Sequence, residues 1–392
     1  MVAEGPGDLL TGGSYREEHV LPLLREHGRS PTSFLSLSPE KSIFRTPRGC
    51  LAYRATRFGD VILGEPIAGP SDARPLLREF VARARRRTVA VAVTPAGASV
   101  YEDAGFQMTE CGSEAVTELT GFSLDDPRHR NARRSARHAS RAGVFVQAIP
   151  PGSRDALRLA PDFAGITEDW LRSRKTGHLG FIVGDPFLPG FQECWYFLAR
   201  TAVRIEGFAI FYPVYPERAV YMDITRRRTD APNGTMDLLL TQAFRTLAMS
   251  GVRRAYLGIV PCVLSAEVPA TIETALMRVA FQRLNGLYPM RTEHFFKDKL
   301  ATGWEPRFAA FHPRRSLRGM LAVYQALWPD GAAGILRHKL RPLENDHANP
   351  PVPSSIAERR PATLWGSRNE RAASKAWPAI NASVPRSMED TK

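Results

Sequence analysis

A chain of 392 residues with 43% hydrophobic side chains is long enough for two domains, each with a core of its own. Its 53 basic residues outnumber 40 acidic ones, and the formal charge of +13 favours polyanionic partners, either nucleic acid or an anionic membrane face. Four scattered cysteines (Cys50, Cys111, Cys194 and Cys262), with no CxxC pair and no clustered histidine, exclude a clustered zinc site and read as core thiols. No window approaches the roughly eighteen uninterrupted apolar residues of a membrane-spanning helix, and the first thirty residues lack the apolar stretch of a signal peptide. The expectation is a cytoplasmic chain that meets a membrane only at its surface, peripheral on the inner face of the plasma membrane.

Residues 1–14 and 331–392 have the composition of loose ends, rich in Pro, Ser, Gly and charge without an apolar period. Between them, the spacing predicts a helix over Tyr15–His27, then short strands at Phe34–Leu37, Ile43–Arg48, Cys50–Phe58 and Val61–Leu63. The turn GEPIAGP (Gly64–Pro70), a helix over Ala73–Arg87, the β-branched strand Thr88–Val93, a short helix and a last strand complete a first α/β unit near Leu119. A second unit opens with a helix over Pro127–Ala142, started by Asp126-Pro127 and stopped by Gly143. It continues with a helix over Asp155–Arg174 and strands at Ala202–Pro213 and Arg218–Thr225. A helix over Thr235–Met249 and a strand over Arg254–Val260 follow, with Asn233-Gly234 supplying the turn and Gly251 the helix stop. The fold class is α/β with mixed central sheets, in two units over 15–120 and 121–330.

Three places carry charge in a pattern that chemistry can use. In the helix over Pro127–Ala142, Arg130, Arg133, Arg134, Arg137 and Arg141 fall on one stripe, opposite Ala132, Ala136 and Ala139, and no acidic residue lies between Pro127 and Gly143. Guanidinium forks match phosphate oxygens, so this stripe fits a tRNA acceptor stem or anionic lipid headgroups equally well; the alternative is a solvated helix. The second place is the strand end and loop from Asp223 to Gly234, where a carboxylate can hold an ammonium group and Arg226 a carbonyl or phosphate. The third is FFKDKLATGWEPRF (Phe295–Phe308). Read as a strand, it sets Lys297 and Lys299 on one face, where they can stabilise an oxyanion or simply line an exposed edge.

These residues also carry a resemblance. DITRRRTDAPNGTMDLLL (Asp223–Leu240), YLGIVP (Tyr256–Pro261) and FKDKLATGWEPRF (Phe296–Phe308) resemble the catalytic region of the multiple peptide resistance factor type of aminoacyl-phosphatidylglycerol synthase, whose aminoacyl group is lysyl or alanyl. EDWLRSRKTGHLGFIVG (Glu168–Gly184), GEPIAGP and the Arg-rich helix extend the resemblance over Tyr15–Leu327. It implies two tandem GNAT-like acyltransferase domains, an aminoacyl-tRNA donor, phosphatidylglycerol or another hydroxyl or amine acceptor, and no metal or coenzyme. By matching position it implies catalytic roles for Asp223 and Arg226 and basic residues near the acceptor at Lys297 and Lys299. It adds substrate contacts at Asn233, Thr235, Asp237, Glu305 and Arg307. The chain departs from the family where DLMRY is usual and Asp223-Ile-Thr-Arg-Arg227 stands instead, and again at Arg291–Lys297. Without a many-span domain, the resemblance implies transfer to a lipid but no flipping of the product.

Three alternatives compete. A soluble relative can pass the aminoacyl group from tRNA to a small molecule in natural-product assembly. An acyl-coenzyme A dependent N-acyltransferase needs a Gly-rich pyrophosphate loop, of which DAPNGTM is a poor version. A basic RNA- or membrane-binding module without catalysis would need only the Arg stripe.

Overall fold

The computed structural model describes residues 12–84, 86–153, 155–172, 181–265, 268 and 290–328. The loose ends expected at 1–14 and 331–392 lie outside these residues, except that a helix already begins at Gly12. Ten α-helices are described: α1 (Gly12–His19), α2 (Leu21–His27), α3 (Ala73–Ala84), α4 (Pro95–Glu102), α5 (Arg130–Arg141), α6 (Asp155–Arg158), α7 (Ala160–Arg172), α8 (Thr235–Met249), α9 (Met290–Asp298) and α10 (Leu317–Leu327). The strands are β1 (Ser42–Thr46), β2 (Gly49–Thr56), β3 (Gly59–Leu63), β4 (Ile67–Ala68), β5 (Thr88–Val93), β6 (Gln107–Glu118), β7 (Phe145–Ile149), β8 (Trp195–Arg200), β9 (Ile205–Val214), β10 (Ala219–Arg227), β11 (Arg254–Pro261) and β12 (Gly303–His312).

All twelve strands belong to one mixed sheet, in the order β1-β2-β3-β5-β12-β6-β11-β10-β9-β8-β7, with β4 paired to β2. Two junctions are parallel, β3 with β5 and β10 with β11, and each is bridged by a helical crossover. The α/β class with a mixed sheet is therefore as expected. The two halves are joined, however, because β12, from the second half, inserts between β5 and β6 of the first. A boundary near residue 120 divides the chain but not the sheet.

Burial explains the central elements. TVAVAV in β5 and IEGFAIFYPV in β9 are buried at every position, as strands covered on both faces must be. The largest apolar cluster draws Leu24, Phe34 and Leu35 from the first half and Phe163, Tyr196, Phe208 and Tyr212 from the second. Phe34 stacks on Tyr212 with ring centroids 5.2 Å apart, so the core is common to both halves.

Several sequence expectations change in detail. Phe34–Leu37 forms a 3-10 turn over Ser33–Leu37 in place of a strand; the run is fully buried, and its amides bond within the turn, Leu35 N–H to Thr32 and Ser38 N–H to Leu35. Helix Asp155–Arg174 is broken into α6 and α7. Strands β7 and β8 add to the expected set; β7 is mostly exposed, so its sequence FVQAI lacks a clear apolar alternation. FFKDK is the end of a helix, not a strand. Glu293 and Lys297 stand one turn apart in α9 and pair at 2.7 Å, while Lys299 lies in the following turn, so the two lysines point to different partners. Of the cysteines, Cys50 and Cys194 are buried and Cys111 and Cys262 only partly so.

The predicted helix over Pro127–Ala142 is a 3-10 turn at Pro127–His129 followed by α5, whose Ala132, Ala136 and Ala139 are buried. This small-residue face lets α5 approach α8 closely. Gly234 begins α8 at φ +87°, and a Cβ there would collide with the carbonyl oxygen of Ser135 in α5. Gly234→Ala should therefore destabilise the protein by roughly 2–4 kcal/mol, summing left-handed strain and overpacking. Gly121→Ala, at φ +76° with open space around it, should cost only about 1 kcal/mol. Denaturant unfolding of the two variants checks the contrast.

Candidate functional site

The sheet opens between β10 and β11. These strands pair in parallel only at Ala219–Arg254, Val220–Ala255 and Tyr221–Tyr256, although both continue, to Arg227 and Pro261. Each is irregular where they part: β10 slips against β9 between Met222 and Ile224, and β11 slips against β6 between Tyr256 and Ile259. Asp223 and Gly258 occupy the two irregularities, Gly258 at φ +87°. Strands that part leave backbone carbonyls without ladder partners, and buried carbonyls need substitutes. Lys297 provides them. Its Nζ donates to Gly258 O at 3.0 Å and to Ile259 O at 3.5 Å, balanced by Glu293.

Asp223 lies on the other lip. The Gly184 amide donates to Oδ2 at 2.7 Å, while Oδ1 is shut away from solvent without a hydrogen-bond partner. Burial pushes the Asp223 pKa up to about 6, against the opposing pull of the Gly184 amide, Tyr212, Lys41 and Arg226. A Cβ on Gly184 would overlap the Tyr212 hydroxyl and approach Asp223 Oδ2 at 2.9 Å, so this position admits only glycine. Arg226 is buried too; its Nη1 donates to Thr167 Oγ1 of α7 at 2.6 Å, and its guanidinium lies 5.6 Å from the Trp170 ring. Burial lowers the Arg226 pKa below its usual value, and Asp223 resists that shift.

The remaining sequence candidates divide into three groups. Lys299 pairs with Asp237 near the start of α8 at 3.2 Å, beside Thr235, whose hydroxyl donates to Pro232 O at 2.6 Å; Asn233 is exposed. Arg307, 1% exposed, is held by Glu114 at 2.6 Å and Glu305 at 3.1 Å. This ion pair ties β12 to β6. Finally, Arg130, Arg134, Arg137 and Arg141 line the exposed side of α5, whereas Arg133 turns back to Leu124 O and Asp125. Arg134, Ser135 and His138 share one surface concavity with Asn233 and Gly234, so the stripe borders the loop that leads from Asp223 into α8. The structure thus brings Asp223 and Arg226 together at the opening and sets Lys297 at its opposite lip. Lys299, Asp237, Glu305 and Arg307 stand as paired charges around it.

Sequence reasoning missed Lys41, Gly184, Phe181 and Tyr212. Lys41 lies in the turn before β1, buried beside the Phe181 ring with its Nζ 5.5 Å from the centroid. Burial first, and then Arg54, hold its pKa down at about 7. A single lysine after a serine-rich turn has no spacing to announce it, and Tyr212 is one more aromatic in an apolar run. Among the described residues, no group of three or more His, Cys, Asp or Glu gathers as a metal site.

The fold and its opening define a class, an α/β protein with one mixed sheet that parts at a buried carboxylate beside an Arg-rich helix. The family model for the C-terminal domain of phosphatidylglycerol lysyltransferase matches residues 21–311, and the chain belongs to that family. Among curated relatives, the phosphatidylglycerol lysyltransferase of Bacillus subtilis (strain 168) is 25% identical over 309 residues, 76% of this chain and 35% of that protein. That of Staphylococcus xylosus is 25% identical over 299 residues, 73% of this chain and 34% of that protein. The chain therefore spans about a third of the length of the curated relatives it matches. Among solved structures, the C-terminal domain of a protein described as a lysylphosphatidylglycerol synthetase from Agrobacterium fabrum matches with a TM-score of 0.65 at 21% identity, over 79% of this chain and 95% of that one. L-PGS from Bacillus licheniformis matches at 0.64 and 20% identity, over 79% and 96%. Both share the fold.

The Asp223 carboxyl makes a prediction about stability. A carboxyl whose folded pKa is raised stabilises the fold fully only below its unfolded pKa, and that contribution is lost as pH climbs through the folded value. For Asp223, the rise from 3.8 to about 6 corresponds to roughly 3 kcal/mol. Asp223→Asn, which keeps an acceptor for the Gly184 amide, should be more stable than the parent at pH 8 by up to that amount and equal to it near pH 4. Denaturant unfolding across this range checks it; a parent that is the more stable at pH 8 would refute it.

Proposed function

We propose that this chain transfers an aminoacyl group from charged tRNA to the hydroxyl of phosphatidylglycerol. The observation that carries the reading is the buried, half-satisfied Asp223 carboxyl at the mouth of parted strands, in a chain that belongs to this family. An α-aminoacyl ester brings an ammonium group, which an otherwise unpartnered carboxylate oxygen accepts. The ester is already activated, so the protein has to align the acceptor hydroxyl and stabilise charge. The acceptor oxygen bonds to the ester carbonyl carbon, the bond to the terminal ribose oxygen breaks, and the acceptor's proton ends on that ribose oxygen. In this scheme Asp223 holds the α-ammonium, while Arg226 and Lys299 face the lipid phosphate, with Asn233, Thr235 and Asp237 shaping the loop between them. Lys297, Glu305 and Arg307 keep the opening's walls in place.

The Arg stripe of α5 supports tRNA binding, because Arg130, Arg134, Arg137 and Arg141 are exposed and Arg134 shares a surface concavity with Asn233. A membrane surface as second partner is supported by α10. This helix buries its small residues, Gly319, Ala322 and Ala326, and turns large apolar ones outward: Leu317 is 72% exposed, Met320 55% and Tyr324 39%. Exposed Arg314 and Arg318 flank them, as in helices that lie in an anionic interface. Among the described residues no helix is long and apolar enough to cross a membrane.

The test is transfer of a labelled amino acid from charged tRNA to phosphatidylglycerol vesicles, run with each aminoacyl-tRNA in turn and repeated after RNase treatment. A labelled lipid that RNase abolishes is the expected product. Label on soluble amines alone would replace the acceptor, and an RNase-resistant reaction with acyl-coenzyme A would replace the donor. Within this assay, Arg134→Glu with Arg137→Glu should raise KM for tRNA at least tenfold and flatten its salt dependence. Leu317→Glu with Met320→Glu should cut transfer to vesicles severalfold, yet leave transfer to a short-chain, water-soluble phosphatidylglycerol unchanged.

A further inference from the structure

Lys41 is buried, 2% exposed, and its Nζ has no hydrogen-bond acceptor among the described residues. Its neighbours do not explain it. Arg54 lies over the same Phe181 ring at 5.3 Å but is satisfied, donating to Glu40 at 2.8 Å and to Ala326 O at 2.7 Å. Arg16 donates to the carbonyls of Ser36 at 2.9 Å and of Lys41 itself at 2.6 Å. Burial first, then Arg54 and Arg16, disfavour the ammonium, while Glu40, Asp223 and the Phe181 face compensate in part. Folds rarely retain a buried cation without an acceptor unless an absent molecule supplies one.

The complementary deficit is close by. Asp223 Oδ1 is equally buried and equally without a partner, and Lys41 and Asp223 attract each other electrostatically without making a hydrogen bond. Lys41 comes from the first half of the chain and Asp223 from the second. An acceptor is missing at one end of this pair and a donor at the other. The group that fits both carries an ammonium and a carbonyl oxygen on adjacent carbons, which describes an α-aminoacyl ester.

We propose that Lys41 is a catalytic residue that donates a hydrogen bond to the carbonyl oxygen of an aminoacyl group whose ammonium rests on Asp223. This rests on the aminoacyl-transfer reading above. As the acceptor oxygen adds to the carbonyl carbon, the carbonyl electron pair moves onto oxygen, and the Lys41 ammonium faces that oxyanion. When the intermediate collapses, the ribose oxygen leaves with the proton that the acceptor hydroxyl has lost, and Lys41 keeps its own. A fixed cation in a dry site stabilises such an oxyanion far more than water does.

Lys41→Met and Lys41→Gln test it. Both should melt at or above the parent temperature, because they remove a buried charge whose loss of hydration no hydrogen bond repays. Single-turnover transfer from charged tRNA should fall by roughly 10²–10³ in the Met variant and less in the Gln variant, which keeps a neutral donor. Affinity for uncharged tRNA should stay within twofold. A stable 3′-aminoacylamido-adenosine should bind the Met variant at least tenfold more weakly than the parent, a readout independent of any acceptor. The proposal is overturned by transfer within threefold of the parent rate, by equal affinity for the analogue, or by a loss of rate that merely follows a lower melting temperature. If the parent binds the analogue as expected but labels no phosphatidylglycerol, the lipid acceptor falls and Lys41 stands; unchanged transfer in the Met variant has the opposite meaning.

Discussion

A sheet can part in its middle only if the backbone groups that lose ladder partners find others, and the parting of β10 from β11 depends on that condition. Lys297 meets it by reaching from α9 to the carbonyls of Gly258 and Ile259, with Glu293 compensating its charge. Gly258 contributes as well, since its φ of +87° is one that L side chains rarely adopt and a Cβ there would lie 3.2 Å from Nζ. The lysine that the family resemblance places near the acceptor thus also braces the opening.

The facing lip is unusual in how little of its charge is spent. Around the opening, Lys299 with Asp237 and Arg307 with Glu114 and Glu305 are neutralised in pairs, which is the ordinary condition for buried ions. Asp223 and Lys41 each keep an unpartnered atom, and burial draws both of their pKa values toward neutrality. Polar groups left unsatisfied within a packed core mark the place where the fold has given up stability for binding. The shared apolar core of the two halves holds these groups in position, with Phe34 stacked on Tyr212 and Phe181 beneath Lys41.

Much of this was legible in the sequence because periodicity and punctuation agreed. Asn233-Gly234 and Gly251 bracketed α8, Asp126-Pro127 started the turn into α5, and the Ala face of α5 is the face that packs. Asp223 and Arg226 stand out in the sequence because they sit at a strand end before a helix, where ligands commonly lie. The return of β12 into the first half was not legible, since pairing across some two hundred residues leaves no local trace. FFKDK misled because alternating charges mimic a strand over four residues, whereas the Glu293–Lys297 spacing that marks a helix needs a longer view. Lys41 belongs to no pattern at all; only burial without an acceptor reveals it.

The proposed transfer requires the parted strands to receive the aminoacyl end of a charged tRNA. The most direct measurement is a crystal structure of the protein with a stable 3′-aminoacylamido-adenosine. Its ammonium should lie within hydrogen-bond distance of Asp223 Oδ1, with its adenosine leading toward the Arg-rich face of α5. A ligand bound elsewhere, with the space beside Asp223 left empty at saturating concentration, would contradict it.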